Sequence, residues 1–292
     1  MQQHGSSLFL RVGQSKELIL LRLPQGPRQQ TSTLCVQQYS WKLPTTKHLD
    51  LIKYASIFIK TRCKNLKAVI AGTAIPRLES FKNLRKEKIS TSHGSADVFK
   101  SDEFAFIQRH GIDGNTPAHI INHKANIKAL SKLKAELIIG VSSSGSLKPE
   151  ITPGSLIIPG DYIQLADIPT FYDDKVVHEV PELDEKLRQN IISAAKSMKL
   201  KTINSGVYIQ TKGPRFETKA EVKMLSHFAD VVGMTMASEA TLAKELEIPY
   251  ASICTVDNYA NGIGGAIDFE DVKESAQSNR KNLEELIRKV VG

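Results

Sequence analysis

Cysteine is scarce in this sequence, and the few that occur are scattered. Cys35, Cys63 and Cys254 are the only three. They lie too far apart in the chain for a disulfide framework or a zinc-ligand spacing. No run approaches the ~18–20 consecutive apolar residues that a membrane-spanning helix needs, so a soluble protein is expected. Acids are nearly missing from the first 66 residues, where Glu17 and Asp50 stand against ten Lys and Arg. The formal net charge of +8 therefore resides in that segment, because residues 67–292 hold 29 basic and 29 acidic side chains. With no basic bias in the main domain, a nucleic-acid reading of it loses its chief support.

Residues 1–66 are rich in Gln, Ser and Thr and show no clear periodicity beyond short apolar runs such as LILLRL. Three readings stay open for this basic extension: an organelle-directing segment, a disordered tail, or an over-long start of the reading frame. All three rank above an independent domain. Trp41 and Cys35 lie here and are assigned no chemistry.

The texture changes from Leu66. KAVIAG (67–72), AFIQRHG (105–111), ELIIGV (136–141), SLIIPGDYIQLAD (155–167), GVYIQTKG (206–213), DVVGMT (230–235) and YASICTV (250–256) read as strands. IINHKANIKALSKL (120–133) has apolar residues at helical spacing, and helices are also expected over 181–199, 237–247 and 268–291. Alternation of strands and helices implies a single α/β domain over 67–292. Its mixed, largely parallel central sheet is flanked by helices on both faces. A chain of 292 residues accommodates such a domain, and a cytoplasmic location is expected.

In a sheet of this kind ligands bind beyond the carboxyl ends of the strands. The residues expected there are Gly72-Thr73, Arg109-His110, Ser142 to Ser144, Met234-Thr235 and Asp257-Asn258. They are small, polar or cationic, and no carboxylate cluster among them suits a metal. Arg109 offers a planar fork for an oxyanion, and His110 can add a second bond. The stretch VSSSGSLKPEITPG (141–154) suits either a plain polar turn or an anion cradle of hydroxyls and backbone N–H groups. In GPRFETKAE (213–221), Phe216 can cover a flat ring and Glu217 can accept from ring N–H groups. Asn258 offers both a donor and an acceptor. Taken singly, each is matched by a plain alternative: a turn residue, a core aromatic or a first-turn acid.

Several blocks then fall in one order: GT (72–73), RHG (109–111), NHKANIKAL (122–130), SSSGSL (142–147), GPRFETKAE (213–221), VGMTMASEATLAKE (232–245) and SICTVDNYA (252–260). Together they resemble the trimeric purine nucleoside phosphorylases, a family that includes the methylthioadenosine and methylthioinosine phosphorylases. The resemblance covers about residues 67–292. It implies a phosphate site of Thr73, Arg109, His110, Ser142, the backbone of Ser143, and Thr235. It further implies that Met234 packs against the ribose while Phe216, Glu217 and Asn258 hold the base. Asn258, Arg109 and His110 would carry the catalysis. Phosphate is then a co-substrate and no metal or organic cofactor is required. A homotrimer is implied, with a neighbouring subunit closing the sugar's 5′ pocket.

Ionised Glu217 is a pure acceptor and suits the N1–H of a 6-oxopurine, while Asn258 can donate to O6. Adenine presents the reverse pattern, and a site built on hydrogen bonds can reject such an analogue by ~10⁴-fold or more. Inosine and guanosine are thus the expected substrates, with S-methyl-5′-thioadenosine or S-methyl-5′-thioinosine as the alternative. A register slip of one residue would bring Asp257 to the base and make adenine acceptable. Departures from the methylthioadenosine enzymes are Gly114 for a second histidine, Ala260 for an aspartate, His123 for a tyrosine and Ser142 for Thr or Asn. The 5′ pocket is expected near Gln277, with 5′-hydroxyl and 5′-methylthio substrates both open.

Overall fold

A computed structural model describes residues 7–11, 18–22, 66–73, 75, 84–265 and 279–292. The readings made for most of residues 1–66, for Gln277 and for the front of the last helix lie outside these. The chain divides into two compact units, Met1–Arg62 and Cys63–Gly292. In the first, β1 (Ser7–Arg11) and β2 (Leu18–Arg22) pair antiparallel as a hairpin.

The second unit is built on one eleven-stranded sheet. In chain order it contains β3 (Leu66–Ala71), β4 (Arg85–Thr91), β5 (Gly94–Lys100), β6 (Phe104–Gln108), α1 (His123–Lys132) and β7 (Ala135–Ser146). There follow β8 (Leu156–Ile157), β9 (Asp161–Gln164), α2 (Glu185–Ser197), β10 (Thr202–Ile203), β11 (Val207–Gln210) and α3 (Lys219–Leu225). The chain ends with β12 (Val231–Gly233), α4 (Met236–Glu245), β13 (Tyr250–Tyr259) and α5 (Arg280–Val291). The strand order is β10-β8-β13-β7-β3-β6-β5-β4, and β12 branches off β7 carrying β11 and β9. The β13-β7-β3-β6 centre is parallel, while β4, β5 and the β12–β7 and β13–β8 contacts are antiparallel.

Side-chain alternation along the strands explains the two helical layers. In β3, Ala68 and Ile70 face one way and join Ile127 and Leu130 of α1 and Met236 and Ala240 of α4 in one cluster. Val69 and Ala71 face the other way and meet Leu187 and Ile191 of α2 and Leu283 and Ile287 of α5. Because both faces are covered, the central strands read as continuous apolar runs rather than alternating ones. Ile70, Ile138 and Ile139 are fully buried, each contributing about 1.5–3 kcal/mol by area. A smaller third cluster, with Val222 and Leu225 of α3, lies under β11 and β12.

Two expectations change here. The serine stretch is not a loop: β7 runs on through Ser142, Ser143 and Ser144 to Ser146. Pairing decides this, since β13 follows β7 in parallel to Ser146 and β12 joins at Gly145 and Ser146. The β4–β5 hairpin was also not foreseen. Its sequence, RKEKIST and GSADVFK, is polar on most positions, with only Ile89, Ala96 and Val98 buried.

Candidate functional site

The carboxyl ends of the central strands converge on a cavity of about 210 Å³. Thr73 follows β3, Arg109 and His110 follow β6, Ser143 lies within β7, Thr235 precedes α4 and Asn258 lies near the end of β13. All six line this cavity, together with Phe216, Glu217 and Met234. Nine of the ten residues that the resemblance implies for the site are thus brought together. Ser142 is not: its hydroxyl is buried without a hydrogen-bond partner and does not reach the wall. Neighbouring residues of a strand point to opposite faces, so Ser142 and Ser143 do not share one.

Gly72 permits the close approach of the Arg109 and His110 side chains. A Cβ at this position would lie 3.0 Å from both Arg109 Nη1 and His110 Nε2. Arg109 is almost wholly buried, and it does not present a free fork. Its Nε and Nη2 donate to Glu239 Oε1 and Oε2 at 2.5 and 2.9 Å. Nη1 donates to the Val141 carbonyl at 2.8 Å, and Nη2 also donates to the Ile70 carbonyl at 3.3 Å. A guanidinium has five N–H groups, so one on Nη1 is left for the cavity. The expected bidentate grip on an anion is corrected to a single charge-assisted bond. Burial would lower the Arg109 pKa, but the Glu239 charge and hydrogen bonds reverse this, and the net direction is up.

Glu239 was not foreseen from the sequence. It is fully buried on α4 and also accepts from Tyr250 Oη at 3.0 Å. The sequence does carry a signal for it: an acid among Met236, Ala237, Ala240 and Ala243 needs a buried cation. Tyr250 in turn depends on Gly140, where a Cβ would lie 1.9 Å from the Tyr250 hydroxyl. Gly140→Ala is expected to displace the phenol and cost about 1–3 kcal/mol, read as a lower urea midpoint. Tyr250→Phe should recover part of that loss in the double variant. No recovery would place the strain elsewhere.

His110 Nδ1 lies 2.8 Å from the Thr116 carbonyl. A carbonyl only accepts, so Nδ1 carries the proton and Nε2 keeps its lone pair in the neutral ring. Burial lowers the His110 pKa, the Arg109 charge adds to this, and the Thr116 bond opposes it. At neutral pH the ring therefore offers an acceptor, suited to the P–OH of hydrogen phosphate. Thr235 is held by a second unforeseen residue: Tyr208 Oη accepts from the N–H groups of Thr235 and Met236 at 3.2 and 3.4 Å.

On the opposite wall Glu217 precedes the N-cap of α3, whose Thr218 and Glu221 form a capping box. Instead of serving as a first-turn acid, Glu217 is buried and its Oε1 accepts from Thr211 Oγ1 at 2.6 Å. Asn258 Nδ2 gives one hydrogen to the Tyr259 carbonyl at 2.7 Å, leaving its second N–H and its carbonyl oxygen. Asn258 lines the cavity and Asp257 does not, so the register that brings an aspartate to the wall is not the one adopted. Phe216 is 43% exposed at the rim. His123 lies off this wall, its Nδ1 3.7 Å from Glu239 Oε1. Burial, aided by the Arg109 and His110 charges and opposed by Glu239, pushes its pKa down to about 4. Among the described residues no acid–histidine–cysteine group is placed to hold a metal ion, and no helix is long and apolar enough to cross a membrane.

The profile described as "Phosphorylase superfamily" matches residues 67–292. A protein named probable 6-oxopurine nucleoside phosphorylase from Archaeoglobus fulgidus is 44% identical, over 76% of this chain and 96% of its own length. A probable S-methyl-5′-thioinosine phosphorylase from Methanocaldococcus jannaschii is 40% identical, over 76% of this chain and 89% of its own. The 6-oxopurine nucleoside phosphorylase of Pyrococcus furiosus is 36% identical, over 75% and 89%. Among solved structures, the methylthioadenosine phosphorylase of Schistosoma mansoni in complex with adenine superposes with a TM-score of 0.71. It is 22% identical and is covered over 91% of its length and 78% of this chain. At that identity the likeness concerns the fold.

Proposed function

This chain belongs to the phosphorylase superfamily, and on that premise we propose that it cleaves 6-oxopurine nucleosides with inorganic phosphate. One observation carries the reading. A single cavity joins an anion set (Thr73, Arg109, His110, Ser143 and Thr235) to an acceptor–donor pair, Glu217 and Asn258, across from it. Relatives named for 6-oxopurine and for thioinosine substrates support the same base chemistry, because both present N1–H and O6.

In the reaction a phosphate oxygen bonds to C1′ of the sugar as the C1′–N9 bond breaks, its electron pair leaving on the purine. The departing purine anion takes up one proton, balancing the one that hydrogen phosphate gives up, so the products are free base and sugar 1-phosphate. Arg109 fixes the anion with its remaining N–H, His110 accepts the phosphate's own hydrogen, and the hydroxyls of Thr73, Ser143 and Thr235 complete the cradle. This positioning converts a bimolecular encounter into a local one. The remaining N–H of Asn258 strengthens its hydrogen bond to O6 as negative charge grows over the purine, and Glu217 holds N1–H. Met234 packs on the sugar and Phe216 covers the base. Phosphate is a substrate here, and the chain's own groups supply every step without a cofactor.

A second reading, phosphorolysis of S-methyl-5′-thioinosine, is favoured by the 40% identical relative of that name. It differs only at the 5′ position. A homotrimer in the cytoplasm fits both readings. The deciding assay follows release of hypoxanthine from inosine and from S-methyl-5′-thioinosine, with and without phosphate. Phosphate-dependent turnover is expected, the better substrate identifying the 5′ group. Turnover without phosphate would mean a hydrolase, and tight purine binding without product a non-catalytic binder.

A further inference from the structure

Asp257 sits beside the site without joining it. It is 3% exposed and absent from the cavity wall. The ladder between β13 and β7 breaks here: Val256 pairs with Ser144 and Asn258 with Gly145, so Asp257 is the extra residue of a bulge. Bulges re-aim side chains. This one sends Asn258 into the cavity and Asp257 toward β7, where its Oδ2 meets the hydroxyl of Ser143. Ser143 itself lines the cavity. Oδ1 is buried without a hydrogen-bond partner.

The surroundings of this carboxyl hold no compensating charge. Ser143 faces it from β7, and Thr255 and the buried Cys254 thiol lie near it on its own strand. On the far side of β13, Gly154 and Ser155 bond the backbone of Val256 and bring no charge. No cation pairs with it among the described residues. Burial accordingly pushes the Asp257 pKa up to about 6, against the opposing pull of the Ser143 hydroxyl.

We propose, on the basis of the phosphorolysis reading, that Asp257 is a positioning residue that takes up a proton as the oxyanion enters and thereby turns the Ser143 hydroxyl toward it. The inventory of donors dictates the switch. An ionised carboxylate only accepts, so Ser143 must donate to it and shows its lone pairs to the cavity. A protonated Asp257 donates to Ser143 Oγ, and the hydroxyl hydrogen is released to the anion. One proton comes from solvent per anion bound. The sign follows: oxyanion binding is strong below the folded-state pKa and weakens as pH rises through it.

Sulfate tests this without turnover, since its charge is constant across neutral pH. In calorimetry in buffers of different ionisation heat, the full chain should take up about one proton per sulfate near pH 7. Its affinity should fall about tenfold per pH unit above that. Asp257→Asn donates permanently and should bind sulfate with no uptake and a flat profile. Ser143→Ala, which only shortens a half-buried side chain, should lose at least about tenfold in affinity at pH 6. Uptake that persists in Asp257→Asn assigns the proton to His110 and overturns the proposal. So does zero uptake by the natural chain, an unaffected Ser143→Ala, or no sulfate binding at all. Phosphate-dependent turnover of inosine, measured separately, shows whether the underlying reading stands.

Discussion

Glu239→Ala is expected to cost about 3–5 kcal/mol of folding stability, because it leaves Arg109 charged and buried without its partner. Both side chains are at most 1% exposed, so water cannot enter to replace the lost carboxylate. The variant should also lose most of its phosphate-dependent turnover. Arg109 is aimed by four hydrogen bonds, two of them to Glu239, and with these two gone the free N–H no longer has a fixed direction. A double variant separates the two effects. Replacing Arg109 and Glu239 together by Met and Leu removes both charges, and apolar replacement of a buried pair is often neutral or better for stability. The double variant should therefore regain most of the urea midpoint while remaining inactive. If the single change leaves the midpoint within about 0.5 kcal/mol of the natural chain, the pair is not what holds this corner together.

How much of this was legible in the sequence depends on the range of the interaction that fixes each feature. The apolar strands and helices announce themselves through local periodicity, and β3, β6, α1, α4 and β13 fall within a few residues of KAVIAG, AFIQRHG, IINHKANIKALSKL, ASEATLAKELE and YASICTV, although β6 stops at Gln108, before the RHG of its reading. The extension of β7 through three serines does not, because small polar residues have weak strand preference and only β13 and β12 enforce the strand. The hairpin of β4 and β5 is hidden for a related reason: an edge with few buried positions carries little hydrophobic pattern. Which residues share the cavity was largely readable from their positions at strand ends. Which hydrogen-bonding edges they present was not. Glu239 lies 130 residues from Arg109, and nothing local to RHG shows that its fork is already engaged. The bulge at Asp257 is likewise a property of the ladder, since the sequence TVDNYA reads equally well in either register.

Exchanging Asn258 for Asp should move the enzyme from 6-oxo toward 6-aminopurines, with the larger change on the inosine side. The natural pair is complementary to a 6-oxopurine at two points, Glu217 to N1–H and the spare Asn258 N–H to O6. A buried donor or acceptor left unpaired costs about 1–3 kcal/mol, so losing the O6 donor alone should lower kcat/KM for inosine by about 5- to 150-fold. The new carboxylate can accept from a 6-amino group, yet Glu217 still opposes the N1 lone pair of adenine. The single variant should therefore gain adenosine turnover without reaching parity. Glu217→Ser in the same chain supplies a hydroxyl that can donate to N1. It also frees Thr211, whose hydroxyl now bonds Glu217 Oε1 at 2.6 Å. Together the two changes reverse both points of contact, and the inosine-to-adenosine ratio should move by about 10⁴ or more. Measured ratios of kcat/KM for the two nucleosides decide the matter. A ratio unchanged by Asn258→Asp would mean that the base lies elsewhere, and that this asparagine, already bonded to the Tyr259 carbonyl, serves only the strand that carries it.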